Sequence, residues 1–512
     1  MKRRQFMQRL ASGALLTANG PVARNLVAAR TGDGPGGSES PQREFFYRPE
    51  NAWAGDFIPF YKNGRFHLFY LLTWRDIPRH GEGTPWYQVS TNDFVHFHEH
   101  GLMLERGTVD EQDLYVFTGS VVEGQGQYHI FYTGHNPHLA QRGMPMEAIL
   151  HAVSDDLLTW RKVPEERLFA LPSIYEPDDW RDPFVFWNEE TGEYWMLVAA
   201  RLKTGPSRRR GCTALCTSKD LKHWEVREPF WAPGLYSVPE CPDLFRMGDW
   251  WYLVFSEGSE QTATHYRMSR SLHGPWQAPA VDTFDCRSFY AAKTASDGNR
   301  RFLFGWDATR EDQKDNQRWR WGGNLVVHQL VQEADGTLWV KVPESVDRAF
   351  SKTAPMQFRP GIGPAEIFPG GVGINSPGSF ACSPAGPLPS RCKIEATVEF
   401  AKGTRGCGLM LRVRQDLDSA YYLRFEPERN RLVIDSWPRA GDIPYWIDSE
   451  RPIELNAGVP VKVKVFLDGS VCVVYVNERI ALSTRMYDLT SGEWGVFTME
   501  GSAKFTNAAI FV

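Results

Sequence analysis

The chain has 512 residues, enough for about two to four domains with a large buried core. Charged residues make up 23% and hydrophobic residues 42%, the balance of a soluble globular protein. A net charge of -5 without long basic runs excludes nucleic acid as the main partner, since the basic patch PSRRRG at 206–211 reads as a solvated loop.

The N-terminus pairs Arg3 with Arg4, follows with Phe6 and then turns weakly apolar, which resembles a twin-arginine export signal. That predicts an exported protein, periplasmic or extracellular. The apolar run is too short for a stable membrane anchor. Residues 30–42 form a Gly/Ser/Pro linker, so 1–42 are set apart as signal and linker.

From residue 43 the chain repeats loosely. DFIPFYKNGRFHLFYL from Asp56, GSVVEGQGQYHIFYTG from Gly119 and DPFVFWNEETGEYWMLVAA from Asp182 are each an apolar run, a turn and a second alternating run. PDLFRMGDWWYLVFS from Pro242 and FYAAKTASDGNRRFLFGW from Phe289 repeat the pattern. Each reads as a β-hairpin. Between them recur STNDFVHF, SDDLLTW, SKDLKHW and SRSLHGPW, turns leading into outer strands that end on an aromatic. Five four-stranded units in series predict a five-bladed β-propeller over 43–347. After a linker at 348–358, residues 359–512 show short alternating strands such as KIEATVEFA and VKVKVFLDG, which predict a β-sandwich. The fold class is all-β.

In a propeller the first strand of each blade opens into the axial pocket. Asp56, Asp182, and Glu240 with Asp243 all lie at such strand starts, so carboxylates from three blades converge on one cavity. Several acids in one partly apolar pocket push their pKa values apart, as glycosidic bond cleavage requires. Singly, each of these residues reads as an ordinary turn or cap residue, as loop aspartates before strands commonly are. The aromatic share, 13% with 19 Trp, fits sugar rings stacked on indoles, and fits aromatic blade cores equally well. Of the eight cysteines, Cys212 and Cys216 lie close together, but no second pair stands at zinc-site spacing, so a metal cluster is not expected; nor is a cofactor expected. A disulfide from Cys382 to Cys392 or Cys407 stays open.

Specific motifs then appear. WRDPFVFW (180–187) carries Arg-Asp-Pro, PECPDLF (239–245) carries Glu-Cys, and FTGS (117–120), FYAAKT (289–294) and WGGNLVVHQL (321–330) follow the same pattern. With these, nearly the whole chain after residue 43 resembles glycoside hydrolase family 32, the invertase, inulinase and levanase group of the five-bladed fructosidase and arabinanase superfamily. The resemblance implies a retaining hydrolase with Asp56 as nucleophile, Glu240 as acid/base and Asp182 as transition-state stabiliser. It also singles out Glu240 over Asp243 as the acid. Arg181 would hold charge beside Asp182, and Cys241 would shape the environment of Glu240 or simply fill space. Trp53, Trp74, Phe117, Ser120, Tyr290, Trp306 and Trp321 are the remaining substrate-binding candidates; for each aromatic, blade core is the competing reading. In the sandwich, Trp437 and Trp446 are the candidates for sugar contact.

The chain departs from the family at two places. The usual Asn-Asp-Pro-Asn-Gly block is Ala54-Gly55-Asp56-Phe57-Ile58, and Ser288 stands where an acid is expected before Phe-Tyr. Losing polar contacts at a sugar site changes selectivity by orders of magnitude. The expected substrate is a carbohydrate, a β-fructofuranoside of sucrose or fructan type. The alternatives are a fructosyltransferase or difructose-forming enzyme, an arabinofuranosidase-type glycosidase, or a non-catalytic sugar-binding protein.

Overall fold

Five hairpins grow into five blades because each apolar strand pair leaves two faces to bury, and only neighbouring blades can bury both. The structure, a computed structural model, describes residues 44–260, 262–438 and 449–512. Residues 1–42, expected from the sequence to be a signal and linker, and Trp446 lie outside the described residues.

Blade one is β1 (Trp53–Lys62), β2 (Arg65–Thr73), β3 (Trp86–Thr91) and β4 (His98–Leu104). Blade two is β5 (Tyr115–Gly124), β6 (Gln127–His135), β7 (Glu147–Ser154) and β8 (Arg161–Lys162). Blade three is β9 (Tyr175–Asn188), β10 (Glu193–Leu202), β11 (Gly211–Ser218) and β12 (Glu225–Val226). Blade four has β13 (Glu240–Met247), β14 (Trp250–Glu257) and β15 (Ala263–Ser269), its outer edge marked by the bridges His265↔Thr283 and Met268↔Gln277. Blade five is β16 (Phe289–Ser296), β17 (Arg301–Arg310), β18 (Trp319–Gln332) and β19 (Leu338–Lys341). Sequential strands pair antiparallel throughout, and the pair Ala54↔Gly323 joins blade five to blade one.

The second repeat is a turn with its own chemistry. Thr91, Ser154 and Ser218 end the third strands, and their hydroxyl oxygens accept from the N–H groups of Phe94, Leu157 and Leu221 at 2.8, 3.0 and 3.0 Å. Those three residues hold positive φ of 62°, 66° and 63° and bury their side chains. In the turn, Asp93, Asp156 and Asp220 accept from the N–H groups that follow them. An aspartate cap and a buried apolar residue in the left-handed region thus punctuate three blades.

The sandwich contains β20 (Thr353–Ala354), β21 (Ala365–Phe368), β22 (Gly371–Pro387), β23 (Arg391–Phe400), β24 (Gly406–Val413) and β25 (Tyr421–Glu426). It continues with β26 (Arg431–Ser436), β27 (Glu450–Pro452), β28 (Val461–Asp468), β29 (Val471–Val476), β30 (Ile480–Arg485) and β31 (Glu493–Phe511). The long β31 serves both halves: residues 493–499 pair with β24 and residues 503–511 with β23. Trp494, Phe425, Ile394 and Val465 lie in its core. The apolar cluster of blades one, four and five continues into Phe466, Val473, Tyr475 and Ala481 of the sandwich, so the two β regions share a core. All eight cysteines are buried and free, including Cys382, Cys392 and Cys407.

Seams between blades need polar satisfaction as well as apolar packing. Ser120, on β5, is buried and accepts the Val185 N–H of β9 at 3.0 Å. Ser120→Ala should orphan that amide and lower unfolding stability by about 1–3 kcal/mol, measured by denaturant titration.

Candidate active site

The innermost strand of every blade is bulged at the same level. Pairing slips by one residue after Gly55 in β1, Phe117 in β5, Arg181 in β9, Glu240 in β13 and Tyr290 in β16. Just past the slip stand Asp56, Thr118, Asp182, Cys241 and Ala291. Four of these five hold positive φ: Asp56 at 50°, Asp182 at 59°, Cys241 at 51° and Ala291 at 50°. For residues with a Cβ this costs on the order of 1–2 kcal/mol each, and the surrounding sheet must sustain it. Bulges re-aim side chains. Here they set two rings of five around the axis.

Asp56 and Asp182 occupy the same ring. Glu240 does not: it stands one residue earlier, in the ring of Gly55, Phe117, Arg181 and Tyr290. The three carboxylates converge from two registers rather than from three equivalent positions, because the bulge in β13 gives Cys241 the aspartate position.

Hydrogen bonds define each carboxylate. Asp56 accepts at Oδ2 from the Thr118 hydroxyl at 2.6 Å, and at Oδ1 from the indole N–H groups of Trp306 at 2.9 Å and Trp321 at 3.3 Å. Asp182 accepts the Cys241 N–H at 3.0 Å, with the Cys241 thiol 3.6 Å from the same oxygen. Its own N–H donates to Thr133 Oγ1 at 2.8 Å. Glu240 accepts from the Tyr290 hydroxyl at 2.7 Å and from Arg181 Nη2 at 3.2 Å. Arg181 also reaches Asp179 at 2.8 Å and Glu147 at 3.4 Å.

Burial raises the Asp56 pKa; the Thr118, Trp306 and Trp321 donors pull it back, and the Glu240 charge adds to the rise. Asp182 is pushed up to about 7, first by burial, with Arg181 opposing and Glu240 and Asp56 adding to the rise. Mutual coupling of all three places them within Coulomb reach of one another. Burial works against the charge on Arg181, yet Glu147, Asp179, Glu240 and Asp182 hold it firmly cationic. The Cys241 thiol is driven far up by burial and by Asp182, which excludes a thiolate role. Among the described residues no cluster of His, Cys, Asp and Glu is arranged to hold a metal ion.

Glycine before the aspartate has a steric reason. A Cβ on Gly55 would lie 2.5 Å from Cζ2 of Trp321, whose indole N–H serves Asp56. The tryptophan fills the space that a side chain at position 55 would need. Ser288, the other departure, is buried with its hydroxyl on the Ser483 carbonyl of the sandwich.

The remaining sequence candidates fall in different places. Trp53 lies under the guanidinium groups of Arg48 and Arg75, 4.5 and 4.3 Å from its ring centre. Trp74 stacks on His80 at 4.7 Å, and Phe117 on His135 at 4.6 Å. Asp243 is buried and accepts the Thr294 N–H, in the field of Lys293 and Arg301. It lies between blades four and five, apart from the carboxylate cluster. Trp437 packs against Phe380 and Tyr422.

Thr118 and Glu147 were missed. Thr118 sits inside the FTGS block, but strict strand alternation would pair it with Ser120, and only the bulge separates their directions. Glu147 opens the apolar strand EAILHAVS, the same signature that singled out Asp56. It is buried, accepts the Trp180 N–H at 2.8 Å and faces His135 at 3.2 Å.

A five-bladed propeller with converging carboxylates at its axis and a trailing β-sandwich is the architecture of a glycoside hydrolase. The chain belongs to glycosyl hydrolase family 32: the family's N-terminal domain model matches residues 47–341 and its C-terminal model residues 376–511. Among curated relatives, raffinose invertase of Escherichia coli is 26% identical, over 91% of this chain and 94% of that one. The levanbiose-producing levanase of Bacillus subtilis (strain 168) is 28% identical, over 53% of this chain and 49% of its own. In solved structures the fold recurs in sucrose-6-phosphate hydrolase from Lactobacillus gasseri, with TM-score 0.69, 19% identity and 92% of both chains covered. It recurs also in exo-inulinase from Aspergillus awamori, with TM-score 0.66, 18% identity and 92% and 98% covered.

Two predictions test the electrostatics and the packing. A carboxyl with a raised folded pKa contributes stability below its unfolded value and loses it as pH rises through the folded value. For Asp182 that window runs from 3.8 to about 7. Asp182→Asn should therefore be more stable than the wild type at pH 8, by on the order of a few kcal/mol, a margin that closes by pH 4 in a series of denaturant titrations. Gly55→Ala should displace Trp321 and cost about 1–3 kcal/mol of stability, with a loss of activity.

Proposed function

We propose that the protein is a retaining β-fructofuranosidase with Asp56 as nucleophile, Glu240 as acid/base and Asp182 as transition-state stabiliser. One observation carries the assignment: Asp56 accepts from three donors at once, the Thr118 hydroxyl and the Trp306 and Trp321 indoles. Three donors favour the ionised form that a nucleophile needs. Asp56 attacks the anomeric carbon as the glycosidic C–O bond breaks, and Glu240 gives its proton to the departing oxygen. Glu240 then takes a proton from water, which attacks the same carbon and releases Asp56. Asp182, held by the Cys241 N–H, faces the positive charge that develops on the sugar between these steps. Arg181 balances the cluster so that the acids can ionise in turn rather than all remain protonated.

Fructosides are favoured as substrate because the relatives are an invertase, levanases and sucrose-6-phosphate hydrolases. The Arg3-Arg4 pattern supports action outside the cytoplasm. Incubation with sucrose, inulin and levan should release fructose, detected by chromatography. Cleavage of an arabinofuranoside with none of these fructosides touched would overturn the substrate assignment. Asp56→Asn should lower kcat by on the order of a thousandfold or more while the fold persists by circular dichroism. Unchanged turnover would remove Asp56 from the nucleophile role.

A further inference from the structure

Consecutive residues of a strand face opposite ways, and β17 uses this to connect the pocket with the sandwich. Trp306 points into the pocket, where its indole donates to Asp56 at 2.9 Å. Asp307, the next residue, points away and is fully buried against Arg485 at the end of β30, with Nε 2.8 Å from Oδ2. The same guanidinium donates to the carbonyls of Asp307 at 2.6 Å and Ala308 at 3.2 Å, both on β17. It also donates to Asn324 Oδ1 at 2.8 Å, on β18. That strand carries Trp321, the second indole donor to Asp56. Between them Gly323 is pressed so close that a Cβ would lie 1.7 Å from the Asp307 carbonyl and 3.0 Å from Arg485 Nη2, and Gly323 pairs with Ala54, two residues before Asp56.

We propose that Arg485 of the β-sandwich is a positioning residue for Asp56: by clamping β17 and β18 at their junction with β1, it holds both indole donors on the nucleophile. The inference rests on the nucleophile role proposed above and makes the accessory region part of the catalytic apparatus. A planar five-donor fork suits the task, since it donates to acceptors on both β17 and β18 while its charge faces the Asp307 carboxylate, whereas an ammonium keeps the charge and loses the fork. The side chains of the pair are 3% and 0% exposed, so the contact is also shielded from salt.

Arg485→Lys and, from the propeller side, Asp307→Asn test the proposal in the full-length chain, with rates measured well below each variant's melting temperature. Because the Trp306 bond lowers the Asp56 pKa, loosening it should move the acidic limb of the kcat profile to higher pH. In addition kcat should fall roughly ten- to a hundredfold with KM nearly unchanged. In parallel, the Trp306 indole N–H signal, assigned with Trp306→Phe by 15N NMR, should shift, and its pH titration should move upward. A folded variant with lowered melting temperature but wild-type kcat, pH limb and indole signal would make the contact purely structural and overturn the proposal. If the wild-type enzyme cleaves no furanoside, the functional reading alone fails, and the indole titration still decides whether Arg485 sets the environment of Asp56.

Discussion

Three carboxylates crowded together at the propeller axis, two of them in the field of one guanidinium, are the constraint on which the rest of the structure depends. Bringing them out of water costs far more than any single contact returns, unless each is hydrogen-bonded and the net charge is shared. The protein meets this by dividing the acids between two environments. Asp56 receives neutral donors only, whereas Glu240 and Asp182 lie in the field of Arg181, which Glu147 and Asp179 anchor from behind. Different partners for chemically similar acids are what allow them to differ in proton affinity, and that difference is the capacity for acid and base chemistry in one pocket.

The geometry depends on backbone features that a regular sheet lacks. Five bulges at one level turn the strand starts inward, and four strained φ angles hold polar or small residues there. Such strain persists only where the surroundings over-determine the conformation. Neighbouring blades supply part of that restraint, through Thr133 on the Asp182 N–H and Ser120 on Val185. The sandwich supplies another part through Arg485 and through Ser483, whose N–H donates to Asp285 of the propeller, itself paired with His328.

Hairpin periodicity made the five blades and the sandwich legible, because strand alternation and turn residues are local signals. The same register made Asp56, Asp182 and Glu240 legible, since strand starts in a propeller face the axis. Local patterns do not show the bulges, so strand starts alone set Glu240 level with Asp56 and Asp182, and leave Thr118 hidden beside Ser120. Glu147 was missed although it carries the signature of Asp56, because it opens a third strand rather than a first. From the sequence Trp306 and Trp321 are candidates for sugar contact or for blade core, whereas in the structure both donate to the nucleophile candidate; only tertiary packing reveals where an indole N–H points. The Arg485–Asp307 contact joins residues far apart in the chain and has no sequence signal at all.

As the proposed nucleophile, Asp56 should form a covalent bond to the sugar during turnover. Rapid acid quench of a Glu240→Ala variant reacting with an aryl fructofuranoside, followed by peptide mass spectrometry, tests this directly. The good leaving group departs without acid assistance, and the missing base lets the intermediate accumulate. The expected result is one hexosyl residue on the peptide that contains Asp56. Turnover of the aryl substrate with no label on any carboxylate, and with the product's anomeric configuration inverted, would contradict it.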